Sequence, residues 1–492
     1  MTKKNHDKKP DIKSIENVET ITQAIRDLRK EVEERMIAIE NGRYYEENDG
    51  ECMSKEQKQK LQVLFQQTEA LFLSKQLQAA KAAYEELFEF ELEYLSIGIE
   101  LRQTRARYFR CIYEQSTPKQ RVEKLLEIIA ANNSIKISKS IFDGNYPFLQ
   151  DIIDTHPDDL PEFDKFLPKW EKALSKIEAQ RAILLHLEAI EFIKGISGIA
   201  KLAQSKQQPL YYLYWIEKLI AKKAWAELIS VTQKALEVLP HSDNRASIAD
   251  SLILAATNQK DLPRVLKGKQ EKFLSHPDDN TLLDWINEAE LQENRTEALK
   301  QASKFLYKKR ELSTLYIKVS LMAGEIDKAF VRVSKVKAYG WTGEQNSTGI
   351  VFAAILIALL PRKQQITELH KAILEYYSRS YSSETSLVTQ IIKGIRQRPA
   401  SQRNLWQEWA ENIGKQRIEH IVSNKYRKAY KRAAEILGGL GEYFILNDKA
   451  DYGISIIVEY RDVKFSRYPA FKKEINSVIK NSAVLRDKGT GY

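Results

Sequence analysis

The chain has 492 residues, and its 77 lysines and arginines exceed its 67 acidic residues to give a formal net charge of +10. With 43% hydrophobic residues it has enough apolar content for a packed core, which excludes a wholly disordered protein. Its two cysteines, Cys52 and Cys111, are too few for a disulfide framework or a cysteine-rich zinc site.

Helical periodicity dominates the chain, and no series of alternating strands interrupts it. The sequence therefore predicts an all-α fold. Breaks in the pattern, rich in Pro, Asp, Gly or charge, predict the boundaries. They give a disordered basic tail at 1–13, an N-terminal helical domain at 14–142 with an acidic loop at 41–54, a Pro- and Asp-rich connection at 143–169, helical repeats at 170–340, a loop at 341–349, a C-terminal helical domain at 350–485 and a tail at 486–492.

One side-chain pattern recurs along the chain. An initial residue is followed by a small residue three positions later, a packing residue at seven and another at ten, so that all four share one helix face. The small residue lets a neighbouring helix approach closely. The copies are Leu77, Ala80, Tyr84 and Leu87; Trp225, Leu228, Thr232 and Ala235; Ile326, Ala329, Val333 and Val336; and, more weakly, Arg295, Ala298, Ala302 and Phe305.

Turns containing Pro and Asp also recur, at 155–159, 239–244 and 276–280. Proline ends one helix, and the following Asp or Asn can cap the next. Across 210–340 the chain resembles tetratricopeptide-like repeats. The resemblance implies a superhelical array of antiparallel helix pairs, an α-solenoid, that binds a peptide or protein along its concave face.

The segment 423–444, SNKYRKAYKRAAEILGGLGEYF, places basic residues and aromatics close together in sequence. On one continuous helix Tyr426 and Tyr430 would join the buried stripe, while Lys425, Lys428 and Arg432 would form a second basic face. This segment and 458–475 resemble the helical tail of bacterial SWIM zinc-finger proteins. The finger's Cys-x-Cys and Cys-x-His pairs are missing, so no zinc ligand carries over.

No catalytic, cofactor or metal motif is present. A P-loop ending in Lys-Ser/Thr, an HExxH and a GxSxG are all missing. Asp158, Asp159, Asp278 and Asp279 could ligate a cation, although helix capping accounts for them without one. We therefore predict a non-enzymatic protein without cofactor or metal.

The apolar run at 350–360, IVFAAILIALL, is too short to cross a bilayer as a helix and predicts a buried core helix. Because the basic N-terminus has no apolar segment of the signal-peptide kind, we expect a cytoplasmic protein without a membrane span. Its oligomeric state stays open.

Positive charge is concentrated between residues 295 and 340, which favours an acidic partner. The candidate contact surface consists of Lys300, Lys304, Lys308, Lys318, Lys328, Arg332 and Lys335. The sequence predicts a scaffold or adaptor for a protein partner; the alternative is a nucleic-acid-binding accessory protein that uses basic helix faces. Tryptophans that could anchor a partner, or fill the core, are Trp225, Trp285, Trp341, Trp406 and Trp409.

Overall fold

A computed structural model describes residues 18–40, 53–90, 97–131, 146–336, 346–378, 384–397 and 402–487. In these ranges there are 24 α-helices and no β-strand, which confirms the all-α prediction. The predicted tail at 1–13 and most of the loops at 41–54 and 341–349 lie outside them. No helix in the described ranges is long and apolar enough to cross a membrane.

The chain divides into two compact units, unit 1 at 1–218 and unit 2 at 219–492. The domain boundaries drawn from the sequence stay predictions. In unit 1, one core lies mainly among the first three helices and a second among the fourth to the eighth. The helices are α1 (Val18–Glu40), α2 (Lys55–Leu73), α3 (Leu77–Phe88), α4 (Leu101–Gln115), α5 (Arg121–Ala131), α6 (Leu149–Asp154), α7 (Phe163–Leu174), α8 (Gln180–Lys206) and α9 (Pro209–Ala221), which ends in unit 2.

Unit 2 begins with a series of helices in which each packs on the next, from α10 to α17. Further helices then surround α17. The helices are α10 (Trp225–Val238), α11 (Asp243–Asn258), α12 (Leu262–Ser275), α13 (Asp279–Leu291), α14 (Arg295–Leu306), α15 (Ser313–Met322), α16 (Ile326–Val333), α17 (Ser347–Leu359), α18 (Glu368–Ser378), α19 (Glu384–Gln397), α20 (Arg403–Ser423), α21 (Tyr430–Leu446), α22 (Ala450–Val458), α23 (Pro469–Asn481) and α24 (Ala483–Asp487).

The same turn reverses the chain after many of these helices. Before α16, Gly324 has a φ of 68° and donates its N–H to Leu321, while Glu325 donates to Ser320 at 2.8 Å. This pair of bonds is a Schellman motif, which satisfies the last carbonyls of a helix. The motif recurs with a left-handed residue at Lys75, Lys223, Lys260, Glu293, Lys425 and Asp448.

The four helices that carry the repeated side-chain pattern, α3, α10, α14 and α16, begin at its first residue. Each follows a Schellman turn by two residues, so the short connection folds the helix back against its predecessor. The second residue of the pattern is buried in all four copies, although in α10 it is Leu228 rather than a small residue. Ala80 and Ala329 are among the buried small residues. Val336, predicted on the inner face, is exposed because α16 ends at Val333.

Two of the three turns containing Pro and Asp cap a helix, but only the turn at 276–280 does so through its Asp as predicted. In the turn at 239–244 the cap is a serine. Ser242 accepts the backbone N–H of Arg245 at the start of α11, and Asp278 accepts that of Thr281 at the start of α13. The turn at 155–159 does not, since α7 begins only at Phe163. The carboxylate of Asp158 pairs with Lys75 instead.

The C-terminal part of unit 2 is built around two helices. All but one of the α17 side chains from Thr348 to Leu359 are buried, which confirms the buried helix predicted from the apolar run. It packs against α15, α16, α18, α19, α20 and α21. The second helix, α21, is buried from Ala433 to Phe444. This burial on all sides differs from the single buried face that each helix of a two-layer array presents.

Candidate binding groove

Five of the seven residues of the predicted contact surface line one groove of about 1220 Å³ between α14 and α16. Lys300, Lys304 and Lys308 follow one another at four-residue intervals along α14 and the turn after it. Lys328 and Arg332 have the same interval on α16. These two short rows therefore line one shared groove. Lys335 is exposed but does not line the groove.

Lys318 was placed on this surface wrongly, because its side chain is only 1% exposed. It lies on α15, where every residue from Leu315 to Met322 is buried. Its Nζ is 2.7 Å from Oδ2 of Asp279, the first residue of α13. A helix buried on every side gives no amphipathic pattern, so the sequence does not reveal which way its one lysine points.

Arg332 is held by the fold. Its guanidinium donates to the Tyr307 carbonyl at 2.7 Å, and its central carbon lies 4.7 Å from the ring centre of Tyr316. Tyr307 directly follows the last residue of α14, where carbonyls lack intrahelical partners. Arginine N–H groups therefore serve as caps at this helix end.

Other arginines cap helix ends in the same way. Arg295, which also lines the groove, donates to Met322 at the end of α15 (3.0 Å). Arg245 donates to the Leu239 carbonyl after α10 (2.7 Å). Arg403 donates to Leu359 at the end of α17 (2.6 Å). Part of the chain's positive charge is therefore used within the fold.

The lysines of the groove are held less firmly. Lys328 pairs with Glu325 at 2.8 Å and Lys300 with Glu297 at 3.7 Å, and all four side chains are at least partly exposed. Exposed pairs of this kind contribute little to stability. Lys304, Lys308 and Arg310 have no carboxylate partner within the described residues.

The groove has a strong excess of positive charge and contains two exposed apolar side chains. Seven cationic residues line it against the carboxylates Glu325 and Asp327. Two of the seven, Arg295 and Arg310, were not part of the predicted contact surface. Tyr307 is 59% exposed and Val331 71%. Neither was predicted from the sequence, although each follows a lysine of the predicted contact surface by three residues and so shares its helix face.

The second basic face does not form. α20 ends at Ser423 and α21 begins at Tyr430, so Lys425 and Lys428 lie in the connection rather than on α21 with Arg432. Lys425 is the left-handed residue of a Schellman turn, and Tyr426, expected in the core, is 51% exposed. Tyr430 is buried as predicted.

Arg432, the third residue of that face, is engaged within the fold. It pairs with Glu435 at 2.5 Å, and its guanidinium lies 3.7 Å from the ring centre of Tyr376.

None of the candidate anchor tryptophans within the described ranges is exposed. Trp285 and Trp406 are buried core residues, and the partly buried Trp409 packs on the core with its ring 5.4 Å from that of Phe330. Trp225 is partly buried at the start of α10. Trp341 lies outside the described residues.

A buried polar cluster joins α18, α21 and α24. The hydroxyls of Thr367 and Ser482, which directly precede α18 and α24, both donate to the carboxylate of Glu442 at 2.5 Å. His370 donates through Nε2 to the Gly439 carbonyl at 3.0 Å, and burial lowers the pKa of this histidine. Because each hydroxyl also accepts an N–H from the first turn of its helix, the cluster holds two helix starts against α21.

No group of side chains within the described ranges could hold a metal ion. His186 pairs with Glu171 at 3.0 Å rather than with the acidic residues nearest to it in sequence. Asp278 and Asp279 serve as a helix cap and an ion-pair partner. A comparison with protein-family models finds no match, and a search of curated proteins finds no significant match.

Proposed function

We propose that the protein is a non-enzymatic adaptor that binds an acidic segment of a protein partner in the groove between α14 and α16. The observation that carries this proposal is the row of Lys300, Lys304 and Lys308, of which the last two lack carboxylate partners among the described residues. Cations without a carboxylate partner in the described part of the chain are available to a binding partner.

The repeated Schellman hairpins support a tetratricopeptide-like arrangement of α10–α16, and with it a binding role. In such an array, equivalent helices stack side by side and present extended surfaces. The resemblance of the C-terminal segment to a SWIM-protein tail stays a prediction that provides no ligand set. We place the protein in the cytoplasm on the sequence argument alone.

Nucleic acid is the second candidate for this groove. Its support is Tyr307, an exposed aromatic among lysines, since single-strand binders combine a cationic groove with aromatic rings on which bases stack. One exposed ring provides only one stacking position, because Tyr316 on the groove wall is buried. An acidic protein segment needs no such series of rings and is therefore favoured.

The proposal is tested by charge reversal at the two unpaired lysines, Lys304→Glu with Lys308→Glu. The control reverses Lys473 and Lys480, two exposed lysines on α23 without a carboxylate partner among the described residues. Tagged wild type and variants capture partners from nuclease-treated host lysate at low and high salt. We expect the wild type and the control variant to capture partners that the groove variant does not capture. High salt should release these partners.

Equal recovery of the same partners by a folded groove variant would overturn the proposal. Capture that disappears after nuclease treatment, together with a steep salt-dependent affinity for a labelled oligonucleotide, would favour the nucleic-acid candidate.

A further inference from the structure

The groove is amphipathic, not merely cationic. Tyr307 enters it from the end of α14 and Val331 from α16, so an apolar side chain is present on each wall. Both are far more exposed than a side chain that contributes to the core. Leu299 and Tyr316, which also line the groove, are buried.

The surrounding contacts hold Tyr307 in place. Its ring centre is 5.9 Å from that of Tyr316 and 5.4 Å from the Arg332 guanidinium, which also binds its carbonyl. An exposed ring that is already ordered loses little conformational freedom on binding, and tyrosine is enriched at interface hot spots.

Along each wall the apolar residue lies one helical turn from a lysine. Tyr307 follows Lys304 by three residues, and Val331 follows Lys328 by three, which places each pair on one helix face. A partner that matches this surface alternates acidic and apolar side chains. A bare polyanion would meet the lysines and leave both apolar side chains in contact with water.

We propose that the groove selects acidic segments that contain bulky apolar residues, and that Tyr307 and Val331 recognise the apolar side chains. This inference rests on the proposed function and adds to it the composition of the bound segment. The lysines attract the segment and speed its association, whereas the apolar contacts distinguish it from other acidic chains.

The test uses three labelled probes on the full-length protein, with affinity measured by fluorescence anisotropy. The first is a short peptide of glutamates with two leucines, the second the same peptide with serines in place of the leucines, and the third an oligodeoxythymidine. We expect the leucine peptide to bind about tenfold more tightly than the serine peptide, the gain from burying about one apolar side chain.

Three variants locate the effect. Val331→Thr, nearly isosteric, combined with Tyr307→Thr should weaken the leucine peptide and leave the serine peptide unchanged. The matched control is Leu291→Thr, which replaces an exposed apolar residue outside the groove and should change neither affinity. The charge reversal of Lys304 and Lys308 should weaken both peptides.

Each outcome has a distinct meaning. If both peptides bind equally and charge reversal weakens both, selection for apolar residues is overturned while the proposed function stands. If neither peptide binds, both fail. Tighter binding of the oligodeoxythymidine than of either peptide overturns both in favour of nucleic acid.

Discussion

Lys318 and Asp279 form an ion pair in the interior of unit 2, with Nζ and Oδ2 2.7 Å apart and side chains that are 1% and 8% exposed. Asp279 is the first residue of α13, where the helix dipole favours a negative charge. The pair therefore joins α15 to the start of α13 through two charges that each need the other.

Removing one partner of this pair should be strongly destabilising. Lys318→Met leaves a buried carboxylate without its cation, and we expect a loss of about 3–5 kcal/mol in the free energy of unfolding. Urea denaturation followed by circular dichroism measures the change. Lys304→Met, which removes an exposed lysine, should change the free energy by less than about 0.5 kcal/mol. Equal effects of the two variants would contradict the burial of Lys318.

Gly394 marks a close approach of α19 to the end of α15. A β-carbon there would lie 2.2 Å from the Met322 carbonyl oxygen and 2.3 Å from that of Leu321. Backbone atoms cannot move aside as a flexible side chain can, so Gly394→Ala should force the helices apart and cost at least about 1–3 kcal/mol. Thermal unfolding compares it with Gln397→Ala, an exposed site on the same helix. An unchanged melting temperature for Gly394→Ala would show that the two helices are not in close contact.

Ala329 tests the repeated pattern directly. It is fully buried on α16, so Ala329→Leu should overpack the contact with neighbouring helices and cost about 1–3 kcal/mol. The exposed Val331 lies on the opposite side of the same helix, and Val331→Leu should be nearly neutral. The measurement is the difference in free energy of unfolding between these two variants. A neutral Ala329→Leu would mean that another face of α16 points inward.

The repeated pattern correctly predicted which face of a helix is buried, which is what helical periodicity can provide. Offsets of three, seven and ten locate a buried face, and the positions of Ala80 and Ala329 follow from that alone. The hairpin turns were not foreseen, because six of their seven left-handed positions are Lys, Glu or Asp and only Gly324 has the expected residue. Predicting the groove requires the distances between helices, and the spacing of residues within one helix does not provide them.

Glu188 should make the stability of unit 1 depend on pH. Burial raises its pKa from 4.5 to about 7, despite the N–H groups of Leu149 and Gln150 at 2.8 and 2.9 Å. A raised carboxyl pKa means that the folded state binds the proton more tightly, so this stabilisation is complete below pH 4.5. It is lost as pH rises to about 7, by about 3 kcal/mol.

The experiment compares wild type with Glu188→Gln, which does not titrate. The free energy of unfolding of the wild type relative to the variant should fall by about 3 kcal/mol between pH 4.5 and pH 7. Trp170 and Trp215 are buried in unit 1 and provide a fluorescence signal. A difference that stays constant across this range would show that folding does not raise the pKa of Glu188.

Arg332 and Lys304 line the same groove but should respond differently to substitution. Arg332→Ala removes the hydrogen bond to the Tyr307 carbonyl and the contact with the Tyr316 ring, and we expect a loss of about 1 kcal/mol. Arg332→Lys should recover little of this stability, because an ammonium lacks the planar guanidinium group that binds the carbonyl and stacks on the ring at the same time. Lys304→Ala should leave stability within about 0.5 kcal/mol, since it has no partner to lose among the described residues.

The affinity for an acidic peptide should depend on charge at Lys304 more than at Arg332. Lys304→Ala should lower the affinity for an acidic peptide and reduce its salt dependence, because one unpaired cation is gone. Arg332→Ala should affect affinity through the position of Tyr307, so its effect should persist at high salt. Parallel measurements of unfolding and of peptide affinity at two salt concentrations separate the two roles. If both variants lost affinity only at low salt and neither lost stability, Arg332 would be a binding cation like the lysines.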